Sequence, residues 1–429
     1  QRAVSYFARA AALALDGNDL ALARRCIDRA LAIDPAEASV RGELLGILAA
    51  ILNRNADPVQ SFEIGQQALP LLRAGSVLWC RTMHALLATS LMLGRKDANR
   101  ALIAMFLSCD PAPEALIAYL ETGTVLLNVI SLRGDREMCQ RFLARLQALA
   151  AASGETETRV TLYLRHGQQR IARMLEGNPW VAWRHAQAAS EAAQRGSNQR
   201  YIGYMQAEAA LAELELGSVT FEAGLRSAMA LLRSIEEIQL HDYAAINLAL
   251  WHTTRAEGLT KELAAESEAT ARLTLARHTG NVLLRGFAEL TLSRLSQAQG
   301  ALPEAERLTR LALTSFEGMP PVQLAVFGQL VGLLLAQGPH RAPEALALAR
   351  KGMEQLASLG GAGFRDLSLR LAFVEALRAA GEDAEADVEL STAQRILEQR
   401  AADIADESWR QRYLESISDN ARLRALGPR

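Results

Sequence analysis

Helix-breaking residues punctuate this chain at one nearly constant interval, and that interval limits the folds open to it more than any other feature. After each long amphipathic run comes one of Gly17, Asn55, Gly94, Gly134, Gly177, Gly217, Gly258, Gly300, Gly338 and Gly381, at spacings of 38 to 43 residues. A fixed period of that length marks a repeat architecture, in which each unit cannot bury its apolar face alone. Behind the breakers stand a polar step and a second helical pattern, as in "GNDLALARRCIDRALAIDP" after Gly17 and "GALPEAERLTRLALTSF" after Gly300. Asp19 and Asp383 are placed to cap helix starts, and Pro303 fits a first turn, where its missing N–H costs nothing. Each unit is therefore expected to be helix, tight turn, helix. About ten such antiparallel hairpins predict an all-α, right-handed superhelical solenoid over 1–402, closed by capping helices over 403–429.

Composition agrees with one continuous stack rather than the two or three globular domains that 429 residues would ordinarily suggest. Apolar residues make up 50% of the chain while aromatics supply only 5%, because the apolar share is carried by Ala and Leu, which let helices pack closely. The 46 basic and 48 acidic residues nearly cancel, so no global field recruits nucleic acid or an anionic membrane. Cys26, Cys80, Cys109 and Cys139 form no CxxC pair and the histidines are equally scattered, a pattern of reduced thiols on buried helix faces rather than of disulfides or zinc. No glycosylation sequon or signal-peptide pattern is present, which fits the cytoplasm. The uncharged stretch 320–340 carries Gln323 and Gln329 and is too short in its apolar core to span a bilayer, so a buried helix is expected there.

The first unit places Phe7, Ala10, Ala11 and Ala14 on one helix and Ala23, Ile27, Ala30 and Pro35 on the next. Later units repeat a small residue after the turn (Ala305, Ala386) and another seven positions on (Ala312, Ala393). This spacing resembles the tetratricopeptide repeats, with units nearer forty residues than thirty-four and without the closing proline. Such long, divergent repeats are similar to those in the C-terminal sensor arms of bacterial signal-transduction ATPases of the STAND class and of related regulatory kinases. The resemblance implies a protein- or ligand-binding arm of a larger signalling or transcription regulator. A free-standing peptide receptor and a structural adaptor are the alternatives.

Catalytic and nucleotide-binding patterns are missing. There is no GxxxxGK[ST], HExxH, GxSxG or GxGxxG, and the glycine-rich "LGGAGF" at 359–364 follows no strand and reads as a loop. No enzyme, cofactor or metal is therefore expected in this segment.

Binding is where the residues offer more. The first helix of each hairpin should line the concave side of the stack, and counting back from each breaker gives its inner line. Arg81 and His84 fall on it in the third unit, and Glu121, Asn128 and Ser131 in the fourth. Tyr163, His166, Arg170 and Arg173 follow at spacings of one helix face, then His252 and Arg255, Arg294 and Gln297, and Glu375 and Arg378. A wall carrying Arg170, Arg173, Arg255 and Arg294 would favour an acidic peptide, a carboxylate or a phosphorylated partner. The other reading open for these arginines is that they are solvated or pair with glutamates of the neighbouring unit. Trp180, Trp183 and Trp251 read as packing between hairpins, and Tyr201 and Tyr204 as exposed anchors for a partner.

The ending, "WRQRYLESISDNARLRALGPR", sets Trp409, Tyr413 and Ile417 on one helical face with Arg410, Arg412 and Glu415 turned away. Asp419 or Asn420 is expected to cap a last short helix in which Leu423 and Leu426 share a face. The segment reads as a lid rather than a basic tail. At the other end, Tyr6 and Phe7 in the first helix have no such polar cover, the pattern expected of a chain continued upstream of Gln1.

Overall fold

The computed structural model describes residues 2–33, 35, 37–154, 158–254 and 259–427, and among them every regular element is helical. The helices follow in pairs. They run α1 (Arg2–Asp16) and α2 (Leu20–Ala32), α3 (Ala38–Arg54) and α4 (Pro58–Ala68), α5 (Val77–Met92) and α6 (Lys96–Leu107), then α7 (Leu116–Leu132) and α8 (Arg136–Ser153). Next come α9 (Thr158–Ile171) and α10 (Pro179–Arg195), α11 (Gln199–Glu215) and α12 (Phe221–Ser234), then α13 (Ile238–His252) and α14 (Lys261–Arg277). The last pairs are α15 (Val282–Ala298) and α16 (Leu302–Ser315), α17 (Pro320–Ala336) and α18 (Ala342–Ser358), and α19 (Asp366–Ala379) and α20 (Asp383–Ala402), before the short α21 (Glu407–Glu415) and α22 (Ser418–Ala425).

The breakers end the first helices as expected, by reversing the sign of φ. At Gly94 (φ 62°) the chain turns left-handed, and the N–H groups of Gly94 and Arg95 reach back to Leu91 O and Ser90 O at 3.1 and 2.9 Å, satisfying carbonyls that the helix end leaves open. In the first two pairs the left-handed residue comes one position later than expected, at Asn18 (φ 62°) and Ala56 (φ 58°), because Gly17 and Asn55 still bond back to Leu13 O and Ile51 O in helical register. Asp19 caps α2 by accepting from Leu22 N at 2.8 Å; Asp383 does not cap, since α20 starts after Glu382. Gly258 lies outside the described residues.

Small residues bring the helices together. Ala23, Ala30, Ala305, Ala312, Ala386 and Ala393 are all fully buried on second helices. The segment Pro113–Leu132 is long and apolar enough to cross a membrane, yet 78% of its most apolar window is buried against other helices, as in a core helix. The apolar stretch after Gly318 is likewise the buried helix α17. Cys26, Cys80 and Cys139 are buried free thiols, and burial pushes Cys80 and Cys139 up to about 12.

The stack coils back onto itself after about 220 residues. Asn18 donates to Ile235 O, Lys96 pairs with Glu317 at 2.8 Å, and Asn178 donates to Asp403 at 3.1 Å. In each case a turn inside one hairpin meets a connection between two later hairpins. Gly134 (φ 79°) shows how close the approach is: a Cβ there would overlap the Leu359 side chain. Gly177 (φ 60°) lies so near Gly363 O and the Arg400 guanidinium that a Cβ would sit 2.6 and 2.8 Å from them. The corresponding Gly300 and Gly381, in units with no later turn to touch, have nothing within 4 Å.

The ending closes this arrangement. Trp409 of α21 packs on Trp183 and Trp180 of α10, with ring centroids 5.1 and 6.2 Å away, and Tyr413 and Leu423 are buried. Asp419 and Asn420 lie inside α22 rather than capping it: Asn420 donates to Tyr413 O at 2.8 Å and Asp419 accepts from Ser368.

Gly134 and Gly300 both hold left-handed φ, so alanine at either carries the same backbone cost of about 1 kcal/mol. Chemical denaturation should show Gly134→Ala losing clearly more stability than Gly300→Ala, the excess reporting the contact with Leu359. Equal losses would mean the turns do not touch.

Candidate functional site

Coiling encloses the inner faces of the first helices, and polar side chains collect there. The centre is Glu208 of α11, 0% exposed. Its carboxylate accepts from Gln169 at 2.8 Å, from the Tyr243 hydroxyl at 3.0 Å, and from Arg170 and Arg173 at 3.3 Å. Arg170 also donates to Asn128 on α7, and Arg173 forks onto Glu215 at 2.7 and 3.0 Å. Burial alone would raise the Glu208 carboxyl pKa, but Arg170 and Arg173 outweigh it and hold it below the usual range. Burial alone would likewise lower Arg170 and Arg173; Glu208 beside the first and Glu215 beside the second outweigh it and raise both.

Arg173 is aimed inward by a change of helix type, since α9 ends in a π-turn, Ala172–Glu176, before Gly177. The carbonyls this turn frees are taken up from other units. Met174 O accepts from Phe364 N at 3.1 Å, Leu175 O from Arg136, and Glu176 O from Arg400 at 3.4 Å.

Two chambers flank the Glu208 cluster. The first is lined by Asn53 and Arg54 of α3, Arg81 and His84 of α5, Glu121 of α7 and Arg200 of α11. Tyr201 donates to Glu121 at 3.1 Å and Arg200 lies 3.1 Å from Glu237 at the start of α13. Burial lowers His84 to about 4, with Glu121 pulling the other way, so its imidazole is neutral near pH 7. The second chamber has an apolar floor of Leu211, Trp251, Phe287 and Val322, and a polar rim of Asn247, Arg294, Gln329 and Arg365, with Arg173 at its border. Phe364 and Arg365 come from the loop 359–365, which the clasp holds against α9.

The structure thus brings Arg81 and His84 to one chamber, Arg173 and Arg294 to the other, and Asn128 and Arg170 to the cluster between them. For Arg170 and Arg173 the geometry is that of pairing with glutamates on the neighbouring unit. Tyr163 and His166 are buried between α9 and α11, with ring centroids 5.3 Å from Tyr201 and 5.1 Å from Tyr204. Burial depresses His166 to about 3. Tyr201, expected as an exposed anchor, is only 3% exposed because its hydroxyl is used internally by Glu121; Tyr204 is half-buried. His252 enters neither chamber but lies 3.4 Å from Glu222 of α12, packed between helices. Arg255 lies outside the described residues. Glu208, Glu215, Glu237 and Arg365 were not foreseen. Glu208 and Glu215 stand seven apart in the alanine-rich "MQAEAALAELE", one helix face, which was the signal available for them.

No protein-family model matches the sequence, and no curated protein does. Among solved structures, a Rap protein complexed with competence and sporulation factor superposes at TM-score 0.50, with 13% identity, over 80% of this chain and 95% of that one. The fold is a TPR-like helical-repeat solenoid. Two further similar structures are the apo quorum sensor NprR from B. thuringiensis (TM-score 0.43, 12% identity, 82% of this chain and 97% of that one) and a Signal Transduction ATPase with Numerous Domains carrying a tetratricopeptide repeat sensor, from Pyrococcus horikoshii (0.37, 11%, 90% and 67%).

Removing one member of a buried ion network leaves the others charged and unpaired, at a cost of about 3–5 kcal/mol. Glu208→Ala should lose stability on that scale in chemical denaturation. Because the Glu208 pKa is depressed on folding, its contribution is present above the ordinary carboxylate pKa of about 4.3 and is lost as pH falls through the lower folded value. Glu208→Gln, which cannot titrate, should therefore lose less stability than the parent between pH 5 and strongly acidic conditions (about one proton's linkage); parallel profiles would contradict the assignment.

Proposed function

We propose that this chain is a non-catalytic binding scaffold, the sensor or protein-interaction arm of a larger bacterial signalling or transcription regulator, and that it takes a protein or peptide partner within its concave interior. The supporting observation is the second chamber: four successive first helices, α11, α13, α15 and α17, supply one wall of apolar residues crowned by arginines and amides. Convergence of a few polar groups on an apolar recess is the ordinary form of a binding site. Balanced charge and the absence of a regular base-reading pattern speak against nucleic acid, and the reading places the chain in the cytoplasm.

In this reading Arg81, His84, Tyr204 and Arg294 face the partner. Asn128, Tyr163, His166, Arg170, Arg173 and His252 hold the wall in place. Residues 1–402 form the binding stack and 403–429 its lid. An acidic partner fits the arginine rim best.

Charge reversal at Arg170 and Arg173 is a poor probe of the groove, because it would crowd carboxylates around Glu208. Filling the chamber is cleaner. Peptides selected from a random library against the intact protein should bind it and lose affinity for Ala325→Phe, whose added ring occupies the second chamber. Peptides that bind the filled variant equally well would place the partner on the outer surface and favour the adaptor reading.

A further inference from the structure

Resting on the reading that the second chamber is a binding site, we infer that it admits a small organic acid, its apolar body lying on Trp251 and Phe287 and its anionic group held between Arg294 and Arg365. The argument begins with an imbalance of charge. Most of the other interior arginines have a carboxylate or amide oxygen to bond: Arg170 and Arg173 share Glu208, and Arg200 lies against Glu237. Arg294 forms no hydrogen bond or ion pair with any described residue, and its Nε is buried without a partner. The Arg365 guanidinium forms no hydrogen bond or ion pair with any described residue; its carbon lies 5.6 Å from the centroid of the Phe364 ring.

An uncompensated guanidinium in a partly desolvated recess is costly, and an anion placed beside it repays that cost. The surroundings of Arg294 bear this out: burial and then the neighbouring Arg365 lower its pKa to about 10, and only Asp419 pulls the other way. Asp419 is not bonded to Arg294; its carboxylate accepts from Ser368. Arg173 adds no free charge, because Glu208 and Glu215 take up its donors.

The rest of the chamber sets the kind of anion. Leu211, Leu214, Leu250 and Leu290 join the two aromatic rings in walls that a fully hydrated inorganic ion would not favour. The empty space, open solvent at its mouth included, is ≈ 570 Å³. Arg365 is itself held in a left-handed backbone conformation (φ 53°) that a side chain adopts only when its surroundings impose it. Since its loop also forms the clasp to α9 through Phe364 N and Met174 O, an acid bound to Arg365 would strengthen contact between the two turns of the coil.

Titration of the intact protein with 3-phenylpropionate, 4-phenylbutyrate and phenyl phosphate, against neutral 3-phenylpropanamide and inorganic phosphate, tests this by calorimetry and thermal melting. At least one of the aryl anions should bind saturably at a single site, with the amide and inorganic phosphate at least about tenfold weaker. Arg294→Met should raise the melting temperature of the ligand-free protein, because it removes an unpaired buried charge, and should weaken the acid about tenfold or more. Arg365→Gln should weaken it similarly. The inference is overturned if none of the three anions binds at millimolar concentration, if the amide binds as well as the acid, or if Arg294→Met lowers the melting temperature, which would give Arg294 a structural partner. Failure of peptide selection leaves these outcomes unchanged, so the two readings fail separately.

Discussion

A helix that ends leaves carbonyls without partners, and at the end of α9 those carbonyls are satisfied from elsewhere in the chain. The π-turn frees Met174 O, Leu175 O and Glu176 O, which accept from Phe364 N, Arg136 and Arg400. Two of these three donors lie in the later turn of the coil, nearly 190 and 224 residues along the chain, so local helix termination and global closure are one event. From that closure follows the enclosed interior. Had the coil stayed open, Arg170, Arg173 and Glu208 would be solvated groove residues; in the closed form they are a buried network that must be internally balanced.

Balance of charge is the theme around Glu208, and the departure from it at Arg294 is informative. Donors from α9, its π-turn and α13 converge on the Glu208 carboxylate of α11, and Arg170 ties in α7 through Asn128. Such a network ties adjacent hairpins into a fixed relative orientation, something alanine-on-leucine packing does less specifically. One chamber further along, Arg294 and Arg365 stand without the carboxylates that this logic supplies elsewhere. Functional sites are where such local rules are broken.

Much of the fold was legible because one constraint repeats. Breakers near every fortieth residue and small residues such as Ala305 and Ala312 impose the hairpin pattern through backbone geometry and helix approach, both local properties. A short helix carrying Trp409 and Tyr413 was legible from their spacing, but Ile417 falls outside it, at the start of α22, and the seat of Trp409 on Trp180 and Trp183 was not legible. Closure could not be read, because it depends on small rotations per unit summed over more than five hairpins. Of the expected inner line, Arg81, Arg173 and Arg294 line the chambers, while the acids that neutralise Arg170 and Arg173 and the burial of Tyr201 were hidden in the superhelical geometry. The acceptors on α11 are masked in the sequence by the alanines around them.

The most direct test of the account is the distance between the two turns of the coil. Spin labels placed at Lys96 and Glu317, whose side chains meet at 2.8 Å, report it without disturbing the interior, since one exposed ion pair contributes little to stability. In a Cys109→Ser background, where the remaining thiols are buried, pulsed dipolar spectroscopy should give one narrow distribution at the short limit of the method. A broad or long distribution would mean the coil is open in solution, and the buried Glu208 network and both chambers would not exist as described.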